Sequence, residues 1–170
     1  HIEIKKVYKS FQNKILMSKK IINLYHTLIN DFKITKPKMI LAGINPHAGE
    51  NKTISKDDNK YLLPIINLLK KRGLFIDGPV SGDGMINNQN LNYYDAFIFT
   101  YHDQALIPFK ILSNYQGVNF TSNLDIIRVS PSHGTAENLI GSKKVISNGI
   151  INCFNLIKKI NRNRNKIDSS

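Results

Sequence analysis

The chain has 170 residues, of which 41% are hydrophobic, so it is long enough for one domain or for part of a larger protein. No apolar run approaches the roughly 18–20 residues of a membrane-spanning helix, and the first residues lack the apolar stretch and the small-residue cleavage site that are typical of a signal peptide. The single cysteine, Cys153, cannot form an internal disulfide, which suits a reducing compartment. We therefore expect a cytoplasmic protein without a membrane anchor.

The formal net charge of +12 first suggests a nucleic-acid-binding protein. However, only four residues are Arg, and the excess of Ile, Asn and Lys is typical of AT-rich codons. The basic clusters are also spread over separate predicted helices: Lys14, Lys19 and Lys20; Lys70, Lys71 and Arg72; Lys143 and Lys144. The sequence thus does not favour a nucleic-acid partner, although the charge could attract an anionic small molecule.

Apolar periodicity and turn residues predict alternating helices and strands, which is an α/β pattern. In chain order we predict a helix over 6–30, a strand over 38–44, a helix from Asp57 and Asp58 to about Leu69, strands over 74–76 and 96–100, a helix over 102–112, strands over 118–121 and 126–129, and a helix over 145–160. Pro64 is expected to shift the start of the second helix or to bend it. The segment 78–84 lacks G-x-G-x-x-G spacing and is read as a turn.

Two polar clusters follow predicted strands, at positions where open α/β sheets build their sites. Asn45–Glu50 contains His47, and Tyr101–Gln104 contains His102, while His1 opens the chain. Three imidazoles from three loops can hold a divalent metal and leave positions free for a substrate. Each His alone is also compatible with a structural role. Asp103 could accept a hydrogen bond from a metal-bound His102, or it could cap a helix.

Three further polar residues, Lys110, Asn119 and Arg128, could gather around a phosphate, with Arg128 as a forked donor. Taken singly they are ordinary surface residues. His133 could simply support a turn ahead of a helix.

Five segments have distinctive sequences: NPHAGE at 45–50, YHDQALIPFK at 101–110, GVNFT at 117–121, IIRVS at 126–130 and SHGTAENLIG at 132–141. Together they resemble one family, the 4-hydroxythreonine-4-phosphate dehydrogenases of pyridoxal phosphate biosynthesis. The residues of these segments match that family, and so do the order and the spacing of the segments. The resemblance runs from His1 to about Ile160 and corresponds to roughly the second half of the family's chain.

The resemblance implies a fold like that of isocitrate and isopropylmalate dehydrogenases, an α/β/α sandwich, with two domains around a cleft and the site at a homodimer interface. It implies metal-assisted, NAD-dependent oxidation of 4-phosphooxy-L-threonine at the C3 hydroxyl, followed by decarboxylation to 3-amino-2-oxopropyl phosphate. The metal ligands would be His1, His47 and His102, the last reaching across from the partner subunit. Lys110, Asn119 and Arg128 would bind substrate, and we expect Lys110 and Asp103 to act in catalysis.

The resemblance leaves the cofactor details open. Three His suit zinc, cobalt or nickel, whereas hydroxy-acid oxidation in this fold often uses magnesium or manganese. The residues that would contact NAD are not identified, because the sequence has no standard fingerprint.

The chain departs from the family pattern at three places. Asn51-Lys52-Thr53 replaces further glycines, and Gly82-Asp83-Gly84 replaces Ala-Asp-Thr. The chain also begins at the first metal ligand, without Met. We therefore expect residues 1–160 to be the C-terminal portion of the dehydrogenase, incomplete because the N-terminal half is absent, and 161–170 to be a polar tail. A split gene, a decaying gene and a partial record all fit this expectation.

The expected incompleteness has a structural consequence. The final helix should pack back on the missing domain, so its apolar face should be poorly covered; that face comprises Ile146, Ile150, Phe154 and Ile157. The alternative function is a truncated, non-catalytic remnant or an interaction module with the same fold.

Overall fold

The computed structural model describes residues 2–114, 116–132, 141 and 147–165. The helices are α1 (Ile4–Phe11), α2 (Lys14–Asn30), α3 (Leu63–Lys71), α4 (Asn88–Tyr93), α5 (His102–Ser113) and α6 (Asn148–Asn165). The strands are β1 (Lys38–Ala42), β2 (Phe75–Val80), β3 (Ala96–Ile98), β4 (Val118–Thr121) and β5 (Arg128–Pro131). Within these described ranges, none of the helices has the combination of length and apolar composition that a membrane span needs.

The central sheet is parallel and has the strand order β2-β1-β3. From β1 the chain passes through α3 to β2 on one side, and then through α4 to β3 on the other side. The connection from β1 to β2 and the connection from β2 to β3 therefore run in opposite directions across the sheet. At such a switch point a crevice opens at the carboxyl ends of the strands. The predicted α/β fold is confirmed.

Strand β1 is buried on both faces. Met39 and Leu41 belong to a core with residues of α1, α2 and α3, while Ile40 and Ala42 pack with Met85 on the opposite face. This two-sided burial explains why the strand reads as an unbroken apolar run rather than an alternating one. Each fully buried large side chain contributes about 1.5–3 kcal/mol, so β1 is a rigid base for the loop that follows it.

The predicted helix over 6–30 is wrong in one respect, because it is interrupted. Helix α1 ends at Phe11, and α2 begins at Lys14 after Asn13. The Asn13 side-chain oxygen accepts a hydrogen bond from the Leu16 backbone N–H at 3.0 Å. A short polar side chain that caps a new helix competes with continuation of the old one.

The helix predicted from Asp57 starts irregularly. Asp58–Leu62 forms a π-helical turn, and α3 begins only at Leu63, with Pro64 in its first turn. Proline is tolerated there because its missing N–H would have no intrahelical acceptor. Pro64 therefore shifts the start of α3, as predicted.

Strands β4 and β5 form a separate antiparallel ribbon that packs against α6. The strand predicted at 126–129 lies instead at Arg128–Pro131, and Ile126 is exposed. The reason lies in α6: Arg164 Nη1 donates to the carbonyl oxygens of Leu124 and Asp125, at 3.1 Å each. These bonds hold the segment before β5 in a loop.

The last helix extends beyond its predicted end at about Ile160, because α6 continues to Asn165. Arg164 forms two bonds to the buried Asp31 carboxylate, at 2.7 and 3.0 Å, and Asn163 Nδ2 donates to the Asp31 carbonyl oxygen at 2.7 Å. Residues 166–170, and Ile146 at the predicted start of the helix, lie outside the described residues. Helix α4 was not predicted; the Asn87 side chain caps it by accepting from the Asn90 N–H at 2.9 Å.

Candidate active site

A cleft of about 570 Å³ opens at the carboxyl ends of the parallel strands. Its polar walls come from three places: His47 after β1, Ser81 and Asp83 after β2, and Asp103 and Gln104 at the start of α5. The switch point of the sheet therefore brings together polar groups that are far apart in the sequence.

The segment that carries His47 has an unusual backbone. Residues His47 to Asn51 all have positive φ, at 51°, 50°, 81°, 42° and 51°, and so form a left-handed turn. For residues other than glycine this conformation costs about 1–2 kcal/mol each, and it persists only where the surroundings enforce it. The turn bends the chain back at the end of β1 and brings His47 to the cleft wall.

Asp58 is the residue that holds the start of this turn. It is fully buried, and its carboxylate accepts hydrogen bonds from the Ile44 N–H at 2.7 Å, the Asn45 N–H at 3.4 Å and Asn45 Nδ2 at 2.8 Å. Gly43 makes the approach possible, because a Cβ there would lie 2.8 Å from Asp58 Oδ1. Sequence reasoning treated Asp58 only as a helix start. In the sequence, the only sign of a further role for Asp58 is that it is a second Asp before an apolar helix, and this pattern is common.

Gln104 links the ends of β1 and β3. Its Nε2 donates to the Gly43 carbonyl oxygen at 3.0 Å, and its Oε1 accepts from the Thr100 N–H at 2.9 Å. Gly82 lies directly against the Gln104 amide, with no room for a Cβ. Glycine at position 82 is therefore required by its packing against Gln104. Sequence reasoning gave Gln104 no role, although it stands in the same motif as His102.

The Asp83 carboxylate also lines the first cleft. The Ser81 hydroxyl and the Gly84 backbone N–H donate to it and lower its pKa, with a smaller contribution from the nearby His47. Asp83 is therefore an anion at neutral pH and can pair with a cation that enters the cleft.

His102 and His47 line different clefts of this chain. His102 borders a second cleft, of about 690 Å³, formed with α1 and α2. Its Nδ1 lies 2.7 Å from Asp103 Oδ1, a carboxylate–imidazole pair of the kind that orients metal-bound histidines. In the described part of the chain no three His, Cys, Asp or Glu side chains are close enough together to hold a metal. His1 and His133 lie outside the described residues.

Lys110 lies on the same side of α5 as two residues of the first cleft. Asp103 and Ile107 line that cleft, and Lys110 follows them at the spacing of one helical stripe. Its side chain is exposed and is not itself part of the lining. Lys110 therefore extends the cleft-facing stripe by one turn.

Asn119 and Arg128 lie on one face of the β4–β5 ribbon. Thr121 pairs with Arg128 and Asn119 pairs with Ser130, so the two residues are diagonal neighbours across the strands. Arg128 Nη1 donates to Thr121 Oγ1 at 2.9 Å. Neither residue lines the first cleft in the single chain. The ribbon begins beside α5, where Phe109 packs against Gly117.

Solved structures resemble this fold over nearly the whole chain. The chain superposes on the crystal structure of 4-hydroxythreonine-4-phosphate dehydrogenase from Klebsiella pneumoniae with a TM-score of 0.77 and 27% identity, over 96% of this chain and 48% of that one. The corresponding dehydrogenase from Burkholderia phymatum gives a TM-score of 0.74 and 32% identity, over 94% of this chain and 48% of that one.

Curated relatives carry the same name. The 4-hydroxythreonine-4-phosphate dehydrogenase of Bacteroides thetaiotaomicron is 32% identical over 83% of this chain and 38% of its own length. That of Zymomonas mobilis is 38% identical over 85% of this chain and 43% of its own. The chain thus spans about two fifths of the length of these relatives.

The family model of pyridoxal phosphate biosynthetic protein PdxA matches residues 1–157, which include both strand-end motifs, α5 and the ribbon. The chain therefore belongs to the PdxA family.

Proposed function

We propose that this chain is the metal- and substrate-binding portion of a 4-hydroxythreonine-4-phosphate dehydrogenase. The reaction would be NAD-dependent oxidation of the C3 hydroxyl of 4-phosphooxy-L-threonine, with decarboxylation to 3-amino-2-oxopropyl phosphate. The observation that carries the proposal is the cleft at the switch point of the sheet, where His47, Asp83 and Asp103 come together.

A divalent metal would be held by His1, His47 and His102, and it would polarise the oxygen that is oxidised. The Asp103–His102 pair supports this role, because the carboxylate fixes the tautomer and the orientation of the imidazole. The two described histidines border different clefts of one chain. We therefore propose a homodimer in which His102 of one subunit meets His1 and His47 of the other.

Lys110, Asn119 and Arg128 would bind the anionic substrate. Arg128 offers a planar fork that matches a phosphate or a carboxylate, and Asn119 stands beside it on the ribbon face. Lys110 lies on the cleft-facing stripe of α5, where its ammonium group would contact the anionic substrate and would act as a proton donor. The 3-oxo acid that oxidation forms is a β-keto acid, so loss of carbon dioxide follows from its own chemistry.

The whole protein would have the α/β/α sandwich of the isocitrate and isopropylmalate dehydrogenases, of which residues 1–160 would be the C-terminal portion. The exposed Ile150 and Phe154 of α6, at 51% and 60%, are consistent with a face that packs on a further domain. The enzyme would act in the cytoplasm.

Arg128→Lys tests the substrate site. In a full-length relative carrying the corresponding change, steady-state kinetics should show a raised KM for 4-phosphooxy-L-threonine with a smaller change in kcat, because Lys keeps the charge but loses the fork. Arg72→Lys, at the exposed end of α3, is the matched control and should leave KM unchanged. An unchanged KM in the Arg128 variant would remove this residue from the site.

A further inference from the structure

Asp58 stands out among the ionisable side chains that the proposed reaction does not use, because it is fully buried while both of its oxygens accept bonds from one loop. A carboxylate removed from water is unfavourable unless donors compensate it. The donors here are two backbone N–H groups and one side-chain amide, and all belong to Ile44 and Asn45. The cost of burying this charge is therefore offset by the two residues that lead into the His47 turn.

The turn depends on that support. Four residues other than glycine, His47, Ala48, Glu50 and Asn51, take left-handed conformations that are unfavourable on their own. Inside the turn, the Ala48 N–H donates to the Asn45 carbonyl oxygen at 3.1 Å, and the Ile54 N–H donates to that of Gly49 at 3.2 Å. Asn45 thus connects the turn to Asp58, since its amide groups bind the carboxylate and its carbonyl binds the turn.

We propose that Asp58 is a positioning residue that sets the geometry of His47 through Asn45 and the left-handed turn. Asp58 touches neither substrate nor metal in this role. The inference rests on the proposed function in one respect, namely that His47 ligates a divalent metal. It predicts that a change at a buried position behind the loop weakens metal binding at the cleft.

The direct test is Asp58→Asn, which keeps the size of the side chain but replaces one acceptor oxygen by an N–H₂ group. Calorimetric titration of the full chain with Co²⁺ alone should show affinity lowered by about 10-fold or more, in the range seen when support of a metal ligand is removed. Asn45→Ala removes only the side-chain bond, so it should lower affinity by a smaller factor. Amide hydrogen exchange at Ala48 and Ile54 should accelerate in Asp58→Asn, whether or not Co²⁺ is added.

Two controls separate positioning from loss of stability. Asp57→Asn alters the neighbouring carboxylate, which binds Tyr8 and Ser55 rather than the loop, and should leave Co²⁺ affinity unchanged. Ile65→Val lowers stability in the core of α3 and should also leave affinity unchanged while the protein stays folded. If Asp58→Asn does not fold, as judged by circular dichroism, Asn45→Ala decides the question.

His47→Ala distinguishes failure of this inference from failure of the proposed function. If His47→Ala weakens Co²⁺ binding but folded Asp58→Asn and Asn45→Ala bind like the unmodified chain, Asp58 does not position His47. If His47→Ala has no effect, or Co²⁺ does not bind at all, the metal role of His47 is wrong. The exchange rates of Ala48 and Ile54 then decide the role of Asp58 alone, and unchanged rates in Asp58→Asn would overturn it.

Discussion

Among the single residues of the left-handed turn at 47–51, Glu50 is expected to lower the stability of the fold. Glu50 is exposed and has φ 42°, where a Cβ is unfavourable. Replacing it by Gly should raise the free energy of unfolding by about 1 kcal/mol, because glycine adopts this conformation without strain. Denaturant unfolding monitored by circular dichroism measures the change.

Asn51→Gly is the matched control for this substitution. Asn51 has φ 51° in the same turn, but Asn tolerates left-handed conformations better than Glu does. Its replacement should therefore change stability by only a few tenths of a kcal/mol. Equal gains at both positions would show that the turn is not strained in the way described.

The residues of the site differ in how far the sequence could predict them. His47 and His102 follow apolar strands, so their place at the carboxyl edge of the sheet could be predicted from the chain alone, as could the helix that begins at His102. The role of Asp58 could not, because it depends on a π-helical turn that returns the chain beneath Gly43. The same holds for Gln104, whose partner Gly43 is 61 residues away.

At the scale of secondary-structure elements, one ion pair joins α6 to the end of α2. Arg164 binds both oxygens of Asp31, which is only 5% exposed, and the pairing raises the pKa of Arg164. Arg164→Ala should lower the free energy of unfolding by about 2–4 kcal/mol, because it leaves a buried carboxylate without its cation. Arg162→Ala, on the exposed side of the same helix, should cost less than about 0.5 kcal/mol. Similarly small losses of unfolding free energy in Arg164→Ala and Arg162→Ala would contradict a stabilising role of the Arg164–Asp31 ion pair.

A contact between Tyr94 and Asp77 makes the stability of the fold depend on pH. Burial, together with the hydrogen bond from its hydroxyl to Asp77 at 2.9 Å, raises the pKa of Tyr94 to about 12. The ordinary pKa of tyrosine is about 10, so the folded state keeps this proton where the unfolded chain has lost it. The contribution of Tyr94 to stability is therefore fully present below about pH 10 and is lost as pH rises from about 10 to 12.

Tyr94→Phe should make this alkaline loss of stability shallower, as measured by unfolding at a series of pH values. A smaller slope should remain, because burial raises the pKa of Tyr8 as well. Tyr93→Phe is the control and should keep most of the slope, because Tyr93 makes the smallest of the contributions that raise the pKa of Tyr94. A Tyr94→Phe slope equal to that of the unmodified chain would refute the assignment.

Helix boundaries were predicted less well than the existence of helices, and the causes are tertiary contacts. The break between α1 and α2 depends on the Asn13 cap, and the extension of α6 depends on Asp31, which is 133 residues from Arg164. Periodicity detects the apolar faces of such helices but not the contacts that start and end them. By contrast, β1 and α5 were close to their predicted bounds, since the apolar run of β1 and the residue pattern of α5 are local properties of the sequence.

At the scale of the whole molecule, several large apolar side chains remain exposed in the chain alone. They include Ile107 and Ile111 beside the first cleft and Ile150 and Phe154 on α6, all more than half exposed. Exposed apolar groups that lie beside one another mark surfaces that bind another chain or domain. The chain spans 38% and 43% of the two curated relatives described above. Under the proposed function, a second subunit or a further domain would cover these surfaces.

Under the proposed function, this chain carries the metal- and substrate-binding half of the dehydrogenase site. The decisive experiment joins the chain to the N-terminal part of the Zymomonas mobilis relative and measures NADH formation from 4-phosphooxy-L-threonine. We predict turnover that requires a divalent cation and falls at least about 100-fold in His47→Ala, while the chain without the added part is inactive. A folded, dimeric chimera without turnover would contradict the claim and support a non-catalytic module, and full turnover in His47→Ala would refute the proposed site.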